Sequence, residues 1–314
     1  MSSSAQPRIV FVGTVAEGRR CLEALLAHGE RFAGLVTLDP ALAPTTSGWV
    51  RFDDLAAAHA IPLLTVRNLN APENVDRVAA LRPDLILVVG WTRLLGPELL
   101  RLPPLGAVGF HASLLPRYRG RAPVNWALIN GADETGNTMF FLDDGVDTGD
   151  IIDQRRIPVL DEDDCATLYR KVADAAVDML LEHLPALKTA TAPRTPQDHR
   201  QATVMPRRRA EDGLIDWSRD ARGLFNWVRA LTHPYPGAFT FHGDRRLFVW
   251  RAVPDPSPHP HPPGRLLATG GEVHVSTGDG LLRLDRVQWE GEPERPGREL
   301  ADLAGVLLGG ERVR

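Results

Sequence analysis

Gly109-Phe110-His111-Ala112-Ser113-Leu114-Leu115-Pro116-Arg117-Tyr118-Arg119-Gly120-Arg121-Ala122-Pro123 is the stretch that decides how this chain is read. The apolar run Ala107-Val108-Gly109-Phe110 has the make-up of a buried strand, and it ends on a histidine. A loop of Pro, Gly and Arg then precedes a second apolar run. Open α/β sheets hold their ligands beyond the carboxyl ends of the strands, so His111 stands where chemistry is done. A second segment, Asp143-Asp144-Gly145-Val146-Asp147-Thr148-Gly149-Asp150, sets carboxylates between glycines, which permit tight turns and close approach of the backbone to a ligand.

Working outward toward the start, residues 8–12, 32–38, 62–66 and 85–90 read as strands. Helices are expected over 16–28, with Leu22, Leu25 and Leu26 on one face, and over 52–59 and 73–81. This alternation predicts a doubly wound, mostly parallel α/β sheet. Gly13-Thr14-Val15-Ala16-Glu17-Gly18 has neither dinucleotide-fingerprint nor P-loop glycine spacing, and reads as a strand-to-helix turn.

Beyond the acidic segment, Asp161 to Asp164 offer caps for a long amphipathic helix carrying Leu168, Val172, Leu180, Leu181, Leu184 and Leu187. Residues 189–201 have the composition of a linker. After them come one helix, 221–231, and short strands at 239–241, 247–251, 265–268, 273–276 and 281–287, with turns at His242-Gly243-Asp244 and Gly278-Asp279-Gly280. A small β-barrel is the expected form. The domain division that follows is 1–200 and 201–314.

Composition narrows the function classes. With 314 residues and 43% hydrophobic content the chain can bury two modest cores, so neither disorder nor a fibre is expected. A net charge of −4, with both signs interspersed, advertises neither nucleic acid nor a membrane surface as partner. Arg207-Arg208-Arg209 is the exception, and reads as a solvated face. Cys21 and Cys165 are too few and too far apart for a disulfide framework or a zinc site. His259-Pro260-His261 lacks a third ligand at metal-site spacing and reads as a proline-rich surface loop, so no metal is expected. Residues 1–7 carry no basic region leading into an apolar run, which sets a cytoplasmic location as the expectation. The absence of a heptad seam leaves the oligomeric state unread.

The pieces His111-x-Ser113-Leu114-Leu115-Pro116 and Asp143-x-Gly145-x-Asp147-x-Gly149, together with the strand Arg8 to Gly13, resemble the 10-formyltetrahydrofolate-dependent formyltransferases. That family includes methionyl-tRNA formyltransferases and amino-sugar N-formyltransferases. The likeness runs through almost the whole chain and implies a Rossmann-like catalytic domain followed by an OB-like one. It also implies 10-formyltetrahydrofolate as co-substrate. By the resemblance, His111 is the acid that steadies the oxyanion or protonates the departing nitrogen, and Asp147 favours the charged imidazole and accepts the amine proton. Asp143, Asp144, Gly145, Val146 and Asp147 align with a folate-contacting segment, and Arg93, Leu94 and Leu95 with a loop bordering the pterin. Arg121 is a candidate for a ligand carboxylate or a partner for the acidic loop, with the ligand role preferred. Arg117 and Arg119 read as local structure and rim.

One residue departs from the family pattern. The family reads Asn-x-His, and Gly109 replaces the Asn whose amide would meet the developing oxyanion. Losing one such donor typically costs on the order of 10²–10³ in rate. A water or backbone N–H could take its place, a side chain such as Asn125 or Asn137 could reach in, or the reaction could differ; the preferred expectation is a water, admitted by the space that glycine leaves.

The acceptor expected is a small amine, a nucleotide-linked amino sugar or an amino-acid-derived amine. The segment Thr37 to Trp49 carries no lysine or arginine where tRNA enzymes of the family use a basic insertion, which makes nucleic acid an unexpected partner. The run Tyr118 to Gly131 looks closer to the amino-sugar enzymes. A methionyl-tRNA formyltransferase, a formyltetrahydrofolate hydrolase and a catalytically silent folate-binding protein are the alternatives.

Overall fold

The apolar runs become strands and the amphipathic runs become helices in the computed structural model, which describes residues 6–309. Residues 1–5 of the amino-terminal stretch considered above lie outside the described residues. In chain order the elements are β1 (Ile9–Val12), α1 (Ala16–Ala27), β2 (Phe32–Leu38), α2 (Asp53–Ala58), β3 (Leu63–Val66), α3 (Pro72–Ala80), β4 (Leu85–Val88), α4 (Pro97–Leu100), β5 (Ala107–His111), β6 (Arg119–Gly120), α5 (Pro123–Ile129), β7 (Glu134–Phe141), β8 (Ile151–Pro158), α6 (Cys165–Lys188), β9 (Val204–Met205), α7 (Ala221–Leu231), β10 (Ala238–His242), β11 (Arg245–Asp255), β12 (Leu266–Thr269), β13 (Glu272–Ser276), β14 (Leu281–Trp289) and β15 (Arg295–Pro296).

Contacts divide the described chain into two units. The first comprises residues up to 123, 134–158 and 169–205, and the second 124–133, 159–168 and 206 onward.

The first unit is built on a seven-stranded sheet in the order β3-β2-β1-β4-β5-β7-β8. The five strands through β5 run parallel, and β7 and β8 close the edge antiparallel. The order reverses between β1 and β4, the arrangement that opens a crevice at the carboxyl ends of the strands. Period-two alternation deals the side chains to two cores. Phe11, Leu85, Leu87, Val108 and Met139 pack with Leu22 and Leu25 of α1 and Leu180 and Leu184 of α6. Val10, Val12, Ile86, Val88 and Ala107 form the other core with Val78 of α3 and Leu99 of α4. Leu22 and Leu25 are fully buried, and each such side chain contributes about 1.5–3 kcal/mol relative to exposure. The edge pair β7 and β8 had no strand signature in the sequence, since Glu134-Thr135-Gly136-Asn137 opens β7 with polar residues and glycine.

Gly13 and Gly18 serve packing. A side-chain carbon on Gly18 would lie 2.3 Å from the Val89 carbonyl oxygen, and one on Gly13 2.8 Å from it. The amides of Thr14 and Val15 donate to the Gly90 carbonyl, and that of Gly13 to Val36. Donors that a phosphate would need are thus spent within the protein, in keeping with a strand-to-helix turn.

The second unit carries an antiparallel sheet, β10-β11-β14-β13-β12, with β15 against β14. Helix α7 spans the expected 221–231, with Asp220 capping it through the Gly223 amide. The predicted turns fall where the chain bends back, with Gly243 and Gly280 at positive φ. Near the start of α6, Asp164 and Thr167 bond reciprocally through side chain and amide, the capping role expected of the acidic run. His259 bonds through Nε2 to the Gly280 carbonyl.

Candidate active site

His111 is the last residue of β5, and the alternation that turns Ala107 toward the α3 and α4 side turns Gly109 and His111 the same way. Its ring is buried, and Nε2 lies 2.8 Å from the carbonyl oxygen of Tyr118. A carbonyl only accepts, so Nε2 carries the proton and the tautomer is fixed. The exchangeable proton of His111 therefore belongs to Nδ1, which lies 3.6 Å from Asp147 Oδ2.

Asp147 reaches His111 because the chain between Phe141 and Asp150 leaves the sheet as a loop, closed at its base by the Phe141 amide on the Asp150 carbonyl. Its backbone is left-handed, with φ of 56°, uncommon for a residue other than glycine. The Gly120 amide holds Oδ2 at 2.8 Å. Asp143 stabilises the loop from inside, accepting from the Gly145 amide at 3.1 Å and the Thr148 hydroxyl at 2.7 Å. A side-chain carbon on Gly149 would come within 1.8 Å of the Phe141 carbonyl, so only glycine lets the loop pinch there. An imidazole with Nε2 committed to a carbonyl and Nδ1 turned toward a hydrogen-bonded carboxylate is the equipment of general acid–base transfer.

Comparison with known proteins adds the family. Residues 17–184 match the formyl transferase model, and residues 208–303 match that of the formyl transferase C-terminal domain. A methionyl-tRNA formyltransferase from Citrifermentans bemidjiense is 36% identical over 306 residues, covering 96% of this chain and 94% of the relative. The chain belongs to the formyl transferase family. Among solved structures, the N-formyltransferase of Helicobacter canadensis in complex with folinic acid and dTDP-3-aminofucose superposes with a TM-score of 0.67 at 15% identity, covering 88% of this chain and 98% of that one. HypX of Aquifex aeolicus in complex with tetrahydrofolic acid gives 0.65 at 20% identity and 98% coverage, but this chain spans only 49% of HypX. These two likenesses establish the formyl transferase fold. The expectation that nucleic acid is no partner finds no support in the relative from Citrifermentans, whose name is that of an enzyme acting on a charged tRNA.

Around the central pair of this formyl transferase the remaining expected residues fall into two groups. Arg93, Leu94 and Leu95 follow the carboxyl end of β4, beside β5 in the sheet. Arg93 donates to the Arg67 carbonyl, while Leu94 is 64% exposed. On the Asp147 loop, Asp144 and Gly145 are exposed and Val146 is 47% exposed. Leu94 and Val146 are thus large aliphatic side chains exposed to water, each on its own loop. Arg121 is exposed and makes no ion pair with the acidic loop among the described residues, which leaves its guanidinium fork available.

Gly109 brings a correction. The space expected beside it for a water is filled by Leu142, whose Cδ2 would sit 2.6 Å from a side-chain carbon at position 109. Nor does Asn137 reach the pair. It lies among the residues on the other side of the sheet, donating to the Val172 carbonyl at 3.0 Å and to Glu17 at 3.3 Å. The amide of Asn125 is committed to the Ala230 carbonyl.

Sequence reasoning missed Arg119 and Gln197. Arg119, expected at the rim, is 8% exposed, and Gln197, expected in a linker, is 6% exposed. Asp153, Glu182 and His183 gather their ligand atoms within 4.8 Å, but Arg155 already bridges both carboxylates and supplies their positive charge.

Proposed function

We propose that this chain transfers a formyl group from 10-formyltetrahydrofolate to a primary amine of a small molecule, a nucleotide-linked amino sugar or an amino-acid-derived amine. The observation that carries the proposal is the His111–Asp147 pair: Nε2 is committed to Tyr118, and Nδ1 faces a carboxylate that the Gly120 amide fixes. Attack of the amine on the formyl carbon forms a C–N bond, breaks the bond to the folate nitrogen, and requires one proton to leave the amine and one to reach the departing nitrogen. Asp147 takes the first, and His111, charged at Nδ1 beside it, steadies the oxyanion and delivers the second.

Bound, the folate supplies the activated formyl carbon. The exposed faces of Leu94 and Val146 suit its ring system, beside which Arg93 stands, and Arg121 suits a carboxylate. Asp143, occupied with its own loop, shapes this segment, and Asp144 beside it is exposed as well.

A small acceptor is favoured by the segment 37–49. It folds into a 3-10 turn over Pro40–Thr45, capped by Asp39, which pairs with Arg67, and it carries no cation of its own. Phosphate contacts dominate nucleic-acid binding, and this segment offers none. The second reading, methionyl-tRNA as acceptor, rests on the name of the relative at 36% identity. Incubation with 10-formyltetrahydrofolate and, separately, amino sugars, amino-acid-derived amines and methionyl-tRNA, following tetrahydrofolate release and formylated product, tests both. Turnover on a small amine is the expected result; activity confined to the charged tRNA contradicts it, and folate release that no amine stimulates points to hydrolysis.

A further inference from the structure

Segment 195–205, whose residues up to 201 have the composition of a linker, is wired into the reactive pair. Its Thr203 accepts the Arg119 amide through its carbonyl at 2.9 Å, and its hydroxyl accepts the Tyr118 amide at 2.7 Å. Val204 and Met205 pair as β9 with Arg119 and Gly120 of β6. Tyr118 and Gly120 are the residues whose backbone groups hold His111 and Asp147.

Gln197 makes the most direct link. Its Nε2 donates to the carbonyl of Asp147 at 3.0 Å and to that of Gly149 at 2.8 Å. Its Oε1 accepts from Arg119 Nη2 at 2.8 Å, and the same nitrogen lies 2.9 Å from His199 Nδ1. A guanidinium only donates, so His199 accepts at Nδ1, and Arg119 is turned to present a donor to Gln197. That contact orients the amide of Gln197, leaving its NH₂ toward the two carbonyls. Gln197 thereby pins both sides of Thr148, the stretch in which Asp147 adopts its left-handed φ.

We propose that Gln197 is a positioning residue for the formyl transfer centre, oriented by Arg119, and that it holds the Asp147 carboxylate in register with His111. The inference rests on the reading given under Proposed function. Released from Gln197, the loop keeps its internal Asp143 bonds but loses its buried anchor, and a displacement of about 1 Å at a reacting group can cost on the order of 10²-fold in rate.

Two variants test it. Gln197→Met keeps the length of the side chain and removes both polar ends. Gln197→Glu keeps the acceptor for Arg119 and removes the donors to Asp147 and Gly149. In both, kcat is expected to fall by roughly 10–100-fold while KM for donor and acceptor changes by less than about twofold. A second readout needs no substrate. The amide of Gly120, protected by Asp147, should exchange its hydrogen at least about tenfold faster in either variant. The inference is overturned if a folded variant keeps the kcat of the parent chain, if the loss lies in KM, or if exchange at Gly120 is unchanged. Asp147→Asn, measured in parallel, separates the two levels. Activity surviving in Asp147→Asn sinks the functional reading, whereas activity lost there but retained in both Gln197 variants sinks only the positioning role.

Discussion

Leu142 fills the space that a side chain at position 109 would need: a Cβ on Gly109 would lie 2.6 Å from Leu142 Cδ2 and 3.1 Å from its Cγ. Position 109 and the residue that follows β7 are therefore coupled. Gly109→Asn alone should overpack this spot and cost about 1–3 kcal/mol, because Leu142 must swing out of contact with the core around Val88 and Leu99. Gly109→Asn with Leu142→Ala should recover part of that loss. Urea denaturation of the two variants and of Leu142→Ala alone gives the coupling, and simple additivity would show that the two positions are independent.

A pH dependence of stability follows from Glu17 on α1. Burial pushes its carboxyl up to about 7, although the Asn137 amide draws it down. The folded chain thus holds this proton more tightly than the unfolded chain, whose carboxyl titrates near 4.5. The stabilisation is complete below 4.5 and is lost as the pH rises through about 7. Relative to the parent chain, Glu17→Gln should gain stability between pH 5 and pH 8, by up to about 3 kcal/mol. Chemical denaturation at the two pH values measures it. A difference that does not change with pH would show that Glu17 is as readily ionised in the fold as outside it.

The three consecutive arginines near the start of the second unit's long segment part company in the structure. Arg208 lies over the rings of Trp126 and Trp227, at 5.2 and 4.5 Å, whereas Arg207 and Arg209 are exposed. With a small amine as acceptor, Arg207→Glu together with Arg209→Glu should leave kcat/KM within about twofold and its salt dependence unaltered. With a tRNA acceptor the same change would weaken KM and flatten the salt slope. Kinetics at two salt concentrations distinguish the outcomes.

Local pattern made most of the first unit legible. Val10 to Val12 and Leu85 to Val88 are continuous apolar runs, as strands buried on both faces require, and α1 and α7 announce themselves by their apolar stripes. His111 was legible because an apolar strand ended on it, and its association with Asp147 came from the resemblance, since no local signal joins residues so far apart. Three features left no local trace. The antiparallel edge begins with polar residues and glycine in β7, and Leu142 closes on Gly109 only after β6, α5 and β7 have intervened. Gln197 sits in a stretch of Thr, Ala and Pro that reads as linker, and its importance depends on what it touches: carbonyls of residues some fifty positions earlier. A buried amide meeting backbone groups across the chain has no periodicity to betray it.

The rate of tetrahydrofolate formation from 10-formyltetrahydrofolate in the presence of an accepted amine, compared among the parent chain, His111→Ala and Asp147→Asn, tests the central claim most directly. The account predicts amine-dependent turnover in the parent and a loss of at least about 10²-fold in each variant, with the folded structure intact by circular dichroism. Comparable turnover in a folded His111→Ala or Asp147→Asn chain would contradict it.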